Sequence, residues 1–299
     1  MKKHVKKLSA VLAAIMVLTL LVAIPASALS MPNEDGWMRY SNLVSKKAKH
    51  YLVIGDSIAY GVGVANMEDA SYARMLSDTF KVNLVDDFYA GCTSSDLLKF
   101  SRRPSVKQDV KDADLISISV GGNDFFNGDL QKLLSGAAAK DYSYFDKLNK
   151  KYEKNLNKII RQFTQWNPDV TITLQTIHNF LDAPDTVAVK DLGEEMVGRL
   201  NNTIRTTAGK YDNVELIEMH HLFVNDRSLL AFDHLHPSAK GNVVMAEQMR
   251  KAINKIGIFG KADKLVQNTN GHDQDAYYLT TEIVEILTSG QSLDGLSLN

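Results

Sequence analysis

"YLVIGDSIAYG", Tyr51–Gly61, passes from an unbroken apolar run directly into a glycine, an acid and a serine. A short apolar run closed by a glycine reads as a strand buried on both faces, the kind found in parallel sheets covered by helices. The serine that follows has two readings when taken alone: a turn or cap residue, or a nucleophile displayed at a strand end. Partners elsewhere in the chain must decide between them.

Four more runs of the same character follow. They are "VNLVDD" (Val82–Asp87), "DLISISV" (Asp114–Val120), "VTITLQT" (Val170–Thr176) and "VELIEM" (Val214–Met219), each bounded by polar or turn residues. Between them apolar residues recur at intervals of three and four. Tyr152, Leu156, Ile159, Ile160 and Phe163 form one such stripe, Val189, Leu192, Met196, Leu200 and Ile204 a second, and Met245, Met249, Ala252, Ile253 and Ile256 a third. Strands alternating with helices predict an α/β domain over residues 50–260, a five-stranded parallel sheet with helices on both faces and right-handed crossovers. In such sheets functional groups gather beyond the carboxyl ends of the strands.

The ends of the chain read differently. Residues 1–28 combine four lysines, an apolar run from Val11 to Ile24 and the small residues Ala26 and Ala28, the pattern of a signal peptide cleaved after Ala28. The apolar run is shorter than the roughly 20 residues of a spanning helix, so no membrane span is expected after cleavage. The expected location is outside the cell or at its envelope. Residues 29–49 read as a polar, irregular leader, and 261–299 as an extension with one amphipathic helix carrying Leu279, Ile283 and Ile286.

Removing residues 1–28 takes away four of the 34 basic residues and none of the 35 acidic ones, leaving a formal net charge of −5. Nucleic acid is thereby excluded as an expected partner, since phosphate binding needs a concentrated basic surface. With Cys92 as its single cysteine, the chain has no internal disulfide.

Ser57 acts as a nucleophile only if a base lies within hydrogen-bond reach and a third group orients that base. His236, three residues after Asp233 and just before Pro237, is the candidate base, with Asp233 able to contact the imidazole nitrogen facing away from Ser57. The oxygen that becomes negative during attack needs donors already in place. Ser57 N–H, Gly91 N–H and the Asn123 amide come from three strand ends and form a candidate oxyanion hole. Asp56 and Asp124 read as turn-shaping acids, and Cys92 as a small buried residue.

The order of these blocks resembles the SGNH, or GDSL, hydrolase superfamily. "GDS" at Gly55–Ser57, Gly91 after the second strand, "GGND" at Gly121–Asp124 and "DHLH" at Asp233–His236 match its four blocks in sequence, over about Tyr51 to Ile256. The resemblance implies a flavodoxin-like three-layer α/β/α sandwich, a catalytic set of Ser57, Asp233 and His236, an oxyanion hole of Ser57, Gly91 and Asn123, and no metal or organic cofactor. It implies a secreted serine esterase of lipase or acylhydrolase type, acting on a small-molecule, lipid or glycan ester. Where the family usually continues "GDSLS", this chain has "GDSIAYG".

Other functions are compatible with the same letters. One is a carbohydrate O-acetyl esterase, another a secreted glycan-binding module without turnover, and a third a metal-dependent hydrolase using Asp233, His234 and His236 with His220 or His221. Phe125, Phe126, Tyr142, Tyr144 and Phe145 are either packing residues or an apolar wall for an acyl chain, and Phe125, Phe126 and His178 are the candidate substrate-lining residues. His178, His220, His221 and His234 read as loop or surface residues, with His178, at a strand end, also able to line the pocket.

Overall fold

The computed structural model describes residues 36–267 except 65–69, 180, 182–186, 225 and 232. The expected signal peptide and the expected helix around Ile283 lie outside the described residues.

Among the described residues six strands form one sheet: β1 (Met38–Asn42), β2 (His50–Gly55), β3 (Asn83–Phe88), β4 (Leu115–Ser119), β5 (Thr171–Gln175) and β6 (Val214–Ile217). Their spatial order is β1-β3-β2-β4-β5-β6. The last five are mutually parallel, with Leu52 opposite Val85 on one side and Ile116 on the other. All five expected parallel strands are present, each within a few residues of its expected bounds.

The expected strand number needs correction, because β1 runs antiparallel along β3, Tyr40 opposite Asp86. It lies inside the segment read as an irregular leader. Five residues of mixed polarity, Met38 to Asn42, carry no apolar run, and their strand character comes from what they meet. Arg39 donates two hydrogen bonds to the buried Asp87 carboxylate at 2.8 Å and contacts Asp109, while Tyr40 is buried. An edge strand held by side-chain pairing has little periodicity to display in sequence.

The helices are α1 (Ser57–Tyr60), α2 (Tyr72–Phe80), α3 (Ser94–Phe100), α4 (Pro104–Asp112), α5 (Gly122–Phe126), α6 (Leu130–Ala138), α7 (Ser143–Trp166), α8 (Val187–Ala208), α9 (His220–Phe223) and α10 (Ala239–Ile256). The stripes read from sequence are buried where they were expected: Leu156, Ile159 and Ile160 on α7, Met196 and Leu200 on α8, Met245 and Met249 on α10.

Alternation along β2 divides the core. Leu52 and Ile54 face one helical layer, with residues of α3, α4, α7 and α8, whereas Tyr51 and Val53 face the other, with residues of α2 and α10. Burying both faces is what makes β2 a continuous apolar run. The chain leaves β2 for β3 on one side and then crosses to β4 on the other, so a topological switch point falls at β2, where crevices for ligands form. The serine at the end of β2 stands at that point.

Candidate active site

Gly55 ends β2 under a close approach by β4. A Cβ at this position would overlap the Ser119 carbonyl oxygen, and the backbone has φ +157°, so glycine is required there. Asp56 N–H donates to that same oxygen at 2.9 Å. The Asp56 carboxylate accepts from Ile58 N–H at 3.1 Å, capping α1, and from Ser119 Oγ at 2.9 Å. Burial raises its pKa to about 6, against the opposing pull of these hydrogen bonds and of His236. Asp56 therefore shapes the turn, as expected, and Ser57 emerges as the first residue of α1.

The second half of the site comes from the loop before α10. Asp233 Oδ1 accepts from the N–H groups of Leu235 and His236, both at 2.9 Å, folding the segment into a compact turn. His234 takes the left-handed conformation inside this turn, with φ +56°. Ala231 N–H donates to His236 O at 2.7 Å and Leu230 bridges Pro237, tying the loop to itself. Gly63 allows the loop to settle against the segment after α1, since a Cβ there would strike Pro237 O and His236 Cβ.

The two halves meet as expected. Asp233 Oδ2, an acceptor, stands 2.6 Å from His236 Nδ1, so Nδ1 carries the proton and donates it. Nε2 then accepts from Ser57 Oγ–H at 2.8 Å. His236 is 1% exposed and Ser57 7%, so both hydrogen bonds are shielded from water. Burial pushes the Asp233 carboxyl up, but attraction to His236 when its ring is protonated, with the hydrogen bonds from His236 and the Leu235 N–H, outweighs burial and brings its pKa to about 2.

The candidate oxyanion donors sit at neighbouring strand ends. Among the described residues, the backbone N–H groups of Ser57 and Gly91 donate to no protein acceptor. Gly91 has φ +83°, and a Cβ there would meet nothing within 4 Å; its glycine is explained by backbone conformation rather than by crowding. Asn123 donates from Nδ2 to Cys92 O at 3.2 Å, which aims its amide at the segment just after Gly91. Asp124 accepts from Ser94 N–H at 2.8 Å and from Ser94 Oγ at 2.5 Å, binding the Asn123 turn to the start of α3.

Ser57, Asn123, His178 and His236 line one cavity of about 60 Å³, together with Phe126, Ile177, Met219, Phe223, Leu235 and Met245. Gly91 lies outside that lining. Phe125 does not line it either, which corrects the expectation for this residue. Adjacent residues on the one-turn helix α5 point about 100° apart, so Phe126 reaches the cavity while Phe125 stacks on Phe145 in the core, ring centroids 4.6 Å apart. Tyr142 and Tyr144 also pack elsewhere, Tyr142 beneath the Arg199 guanidinium and Tyr144 beside Lys132.

The rival metal cluster is not assembled. Among the described residues no three histidine, cysteine or acidic side chains gather as ligands, and His220 pairs with Glu194 at 3.0 Å. No described helix is long and apolar enough to cross a membrane. Cys92 is buried, and burial raises its thiol pKa well above the ordinary value, as befits a packing residue.

Comparison with known proteins gives the family and the fold. The model of the GDSL-like lipase/acylhydrolase family matches residues 53–244, more than half of the chain. An uncharacterized protein of Bacillus subtilis, YpmR, is 28% identical over 71% of this chain and 85% of its own length. The spore germination lipase LipC of Bacillus licheniformis is 23% identical over 68% of this chain and 95% of its own. Among solved structures, the lipase Lip_vut3 from a goat rumen metagenome shares the fold with a TM-score of 0.58 at 23% identity, covering 68% of this chain and 97% of that one.

Proposed function

This chain belongs to the GDSL-like lipase/acylhydrolase family and is a carboxylic ester hydrolase, and from that premise we propose that it works through an acyl-serine intermediate on Ser57. The observation that carries the reading is the continuous line Asp233 Oδ2, His236 Nδ1, His236 Nε2, Ser57 Oγ, with contacts of 2.6 and 2.8 Å.

In this mechanism Ser57 Oγ attacks the ester carbonyl as its proton passes to His236 Nε2. Asp233 holds the imidazole in the required tautomer and stabilises the imidazolium. The developing oxyanion is met by the N–H groups of Ser57 and Gly91 and the Asn123 amide. His236 returns the proton to the departing alcohol, leaving the acyl group on Ser57. It then takes a proton from water, whose oxygen attacks the acyl-serine, and gives it back to Ser57 as the carboxylic acid leaves.

The substrate reading is an ester of lipase or acylhydrolase type, supported by the apolar lining from Phe126, Met219 and Phe223. A second reading, a carbohydrate O-acetyl esterase, is favoured by the small cavity of about 60 Å³, which suits a short acyl group. The lysine-rich start and apolar run of residues 1–28 support export. Ser57→Ala is expected to abolish hydrolysis of p-nitrophenyl esters while circular dichroism and Tm stay native, and undiminished turnover would remove the assignment. An acyl series from acetyl to palmitoyl esters separates the substrate readings: activity confined to acetyl supports the deacetylase, and retained long-chain activity the lipid hydrolase.

A further inference from the structure

His178 follows β5 and is buried, with Nε2 2.7 Å from Leu235 O. A carbonyl only accepts, so the ring proton sits on Nε2 and is donated to Leu235. Burial pushes this imidazole down to about 4, against the Leu235 hydrogen bond, so at neutral pH it carries that one proton and no charge. A neutral ring here also spares His236 a cationic neighbour.

The bonded carbonyl belongs to the peptide unit that leads into His236. The N–H of that same unit donates to Asp233 Oδ1 at 2.9 Å. A peptide plane held at its oxygen and at its nitrogen has little freedom to tilt, and that tilt sets the direction in which the His236 side chain leaves the backbone. Asp233 thus holds one edge of the plane and His178 the other.

His178 is itself anchored. Asn201 on α8, 1% exposed, accepts from Ile177 N–H at 2.7 Å and donates to Ile177 O at 2.8 Å. The His178 ring stacks on Phe223, centroids 4.7 Å apart. Rigid contacts therefore run from α8 through Ile177 and His178 to Leu235, His236 and Ser57.

We propose that His178 is a positioning residue for His236, acting through the Leu235 carbonyl; this rests on the serine-hydrolase reading above. It touches no reacting atom. Its work is to keep Nε2 of His236 at hydrogen-bond distance from Ser57 Oγ, where a misplacement of about 1 Å costs about 100-fold in rate.

The test compares full-length variants on p-nitrophenyl acetate and in phosphonylation of Ser57. His178→Phe keeps an aromatic ring against Phe223 but has no N–H for Leu235, whereas the longer amide of His178→Gln brings an N–H to about the position of Nε2. The Phe variant is expected to lose about 10- to 100-fold in kcat with KM within about twofold, to slow Ser57 phosphonylation by the same factor, and to be largely rescued in the Gln variant. Should the Phe variant not fold, His178→Asn replaces it, its amide falling short of the carbonyl. A kcat within about twofold of wild type per folded molecule, whatever the Tm, overturns the proposal, as does failure of the Gln variant to recover activity. Wild-type protein without Ser57-dependent turnover would instead remove the serine-hydrolase reading itself.

Discussion

Ser57 and His236 lie 179 positions apart in the chain, and their Oγ and Nε2 atoms stand 2.8 Å apart. The entropy of closing so long a loop grows only with the logarithm of its length, so the distance in sequence costs little more than a short one would. What the contact needs is two turns that present the side chains at fixed angles. Gly55 and Asp56 build one of them, and Asp233 with Gly63 builds the other.

Asp233 serves both the turn and the imidazole, so Asp233→Asn should lower kcat by about 10³- to 10⁴-fold with p-nitrophenyl acetate. Its native pKa, about 2, lies below the ordinary 3.8. The stability this provides is therefore complete above the ordinary value and is lost as pH falls towards about 2. Acid unfolding followed by circular dichroism should show wild type losing stability over that window and the Asn variant lacking that contribution.

Asn123→Ala removes the one side-chain donor of the expected oxyanion hole. A fall of about 10²- to 10³-fold in kcat with KM nearly unchanged is expected. Steady-state kinetics on a soluble short-chain ester distinguishes this from a binding defect, which would move KM.

Gly55→Ala places a methyl group inside the Ser119 carbonyl oxygen at a backbone φ of +157°. Since Asp56 N–H is bonded to that same oxygen, the strands cannot part without losing the turn that carries Ser57. A destabilisation beyond about 4 kcal/mol is expected, read as loss of folded soluble protein or a large drop in Tm.

Asp86 on β3 is buried, and its Oδ1 has no hydrogen-bond partner among the described residues. Burial first, and the neighbouring Asp87 second, hold its pKa well above the ordinary value. A carboxyl raised on folding binds more protons in the native state than in the unfolded one, so its contribution to stability is fully present at acid pH and is lost as pH rises towards the native pKa. Asp86→Asn removes this loss, and a gain in stability at neutral and alkaline pH is expected. Urea unfolding should show a gain larger at pH 8 than at pH 4.

Much of this was legible in the linear chain, for a physical reason. Strands buried on both faces must be continuously apolar, and helices packed on them must carry a stripe, so the five parallel strands and the helices α7, α8 and α10 announced themselves. The four short blocks were legible because their order along the chain matches that of the family whose model spans residues 53–244. By contrast β1 escaped, since Arg39 and Tyr40 become strand residues only by meeting Asp87 and Asp86 on β3. The aromatic pair also misled in one member: on a one-turn helix, neighbours face opposite fates, and Phe125 went to the core while Phe126 went to the cavity.

By itself, then, the sequence determined the α/β fold and its family and proposed Ser57, Gly91, Asn123, Asp233 and His236 as the reacting set, because patterning and block order are written locally. Tertiary structure alone decided how those groups are aimed. The grip of His178 on the Leu235 carbonyl, the Asn201 clamp behind it and the close pass of Ser119 over Gly55 are contacts between segments far apart in the chain. Hydrogen bonds of this kind depend on angle and on distances of about 3 Å, and only the packed layers bring such partners to those distances.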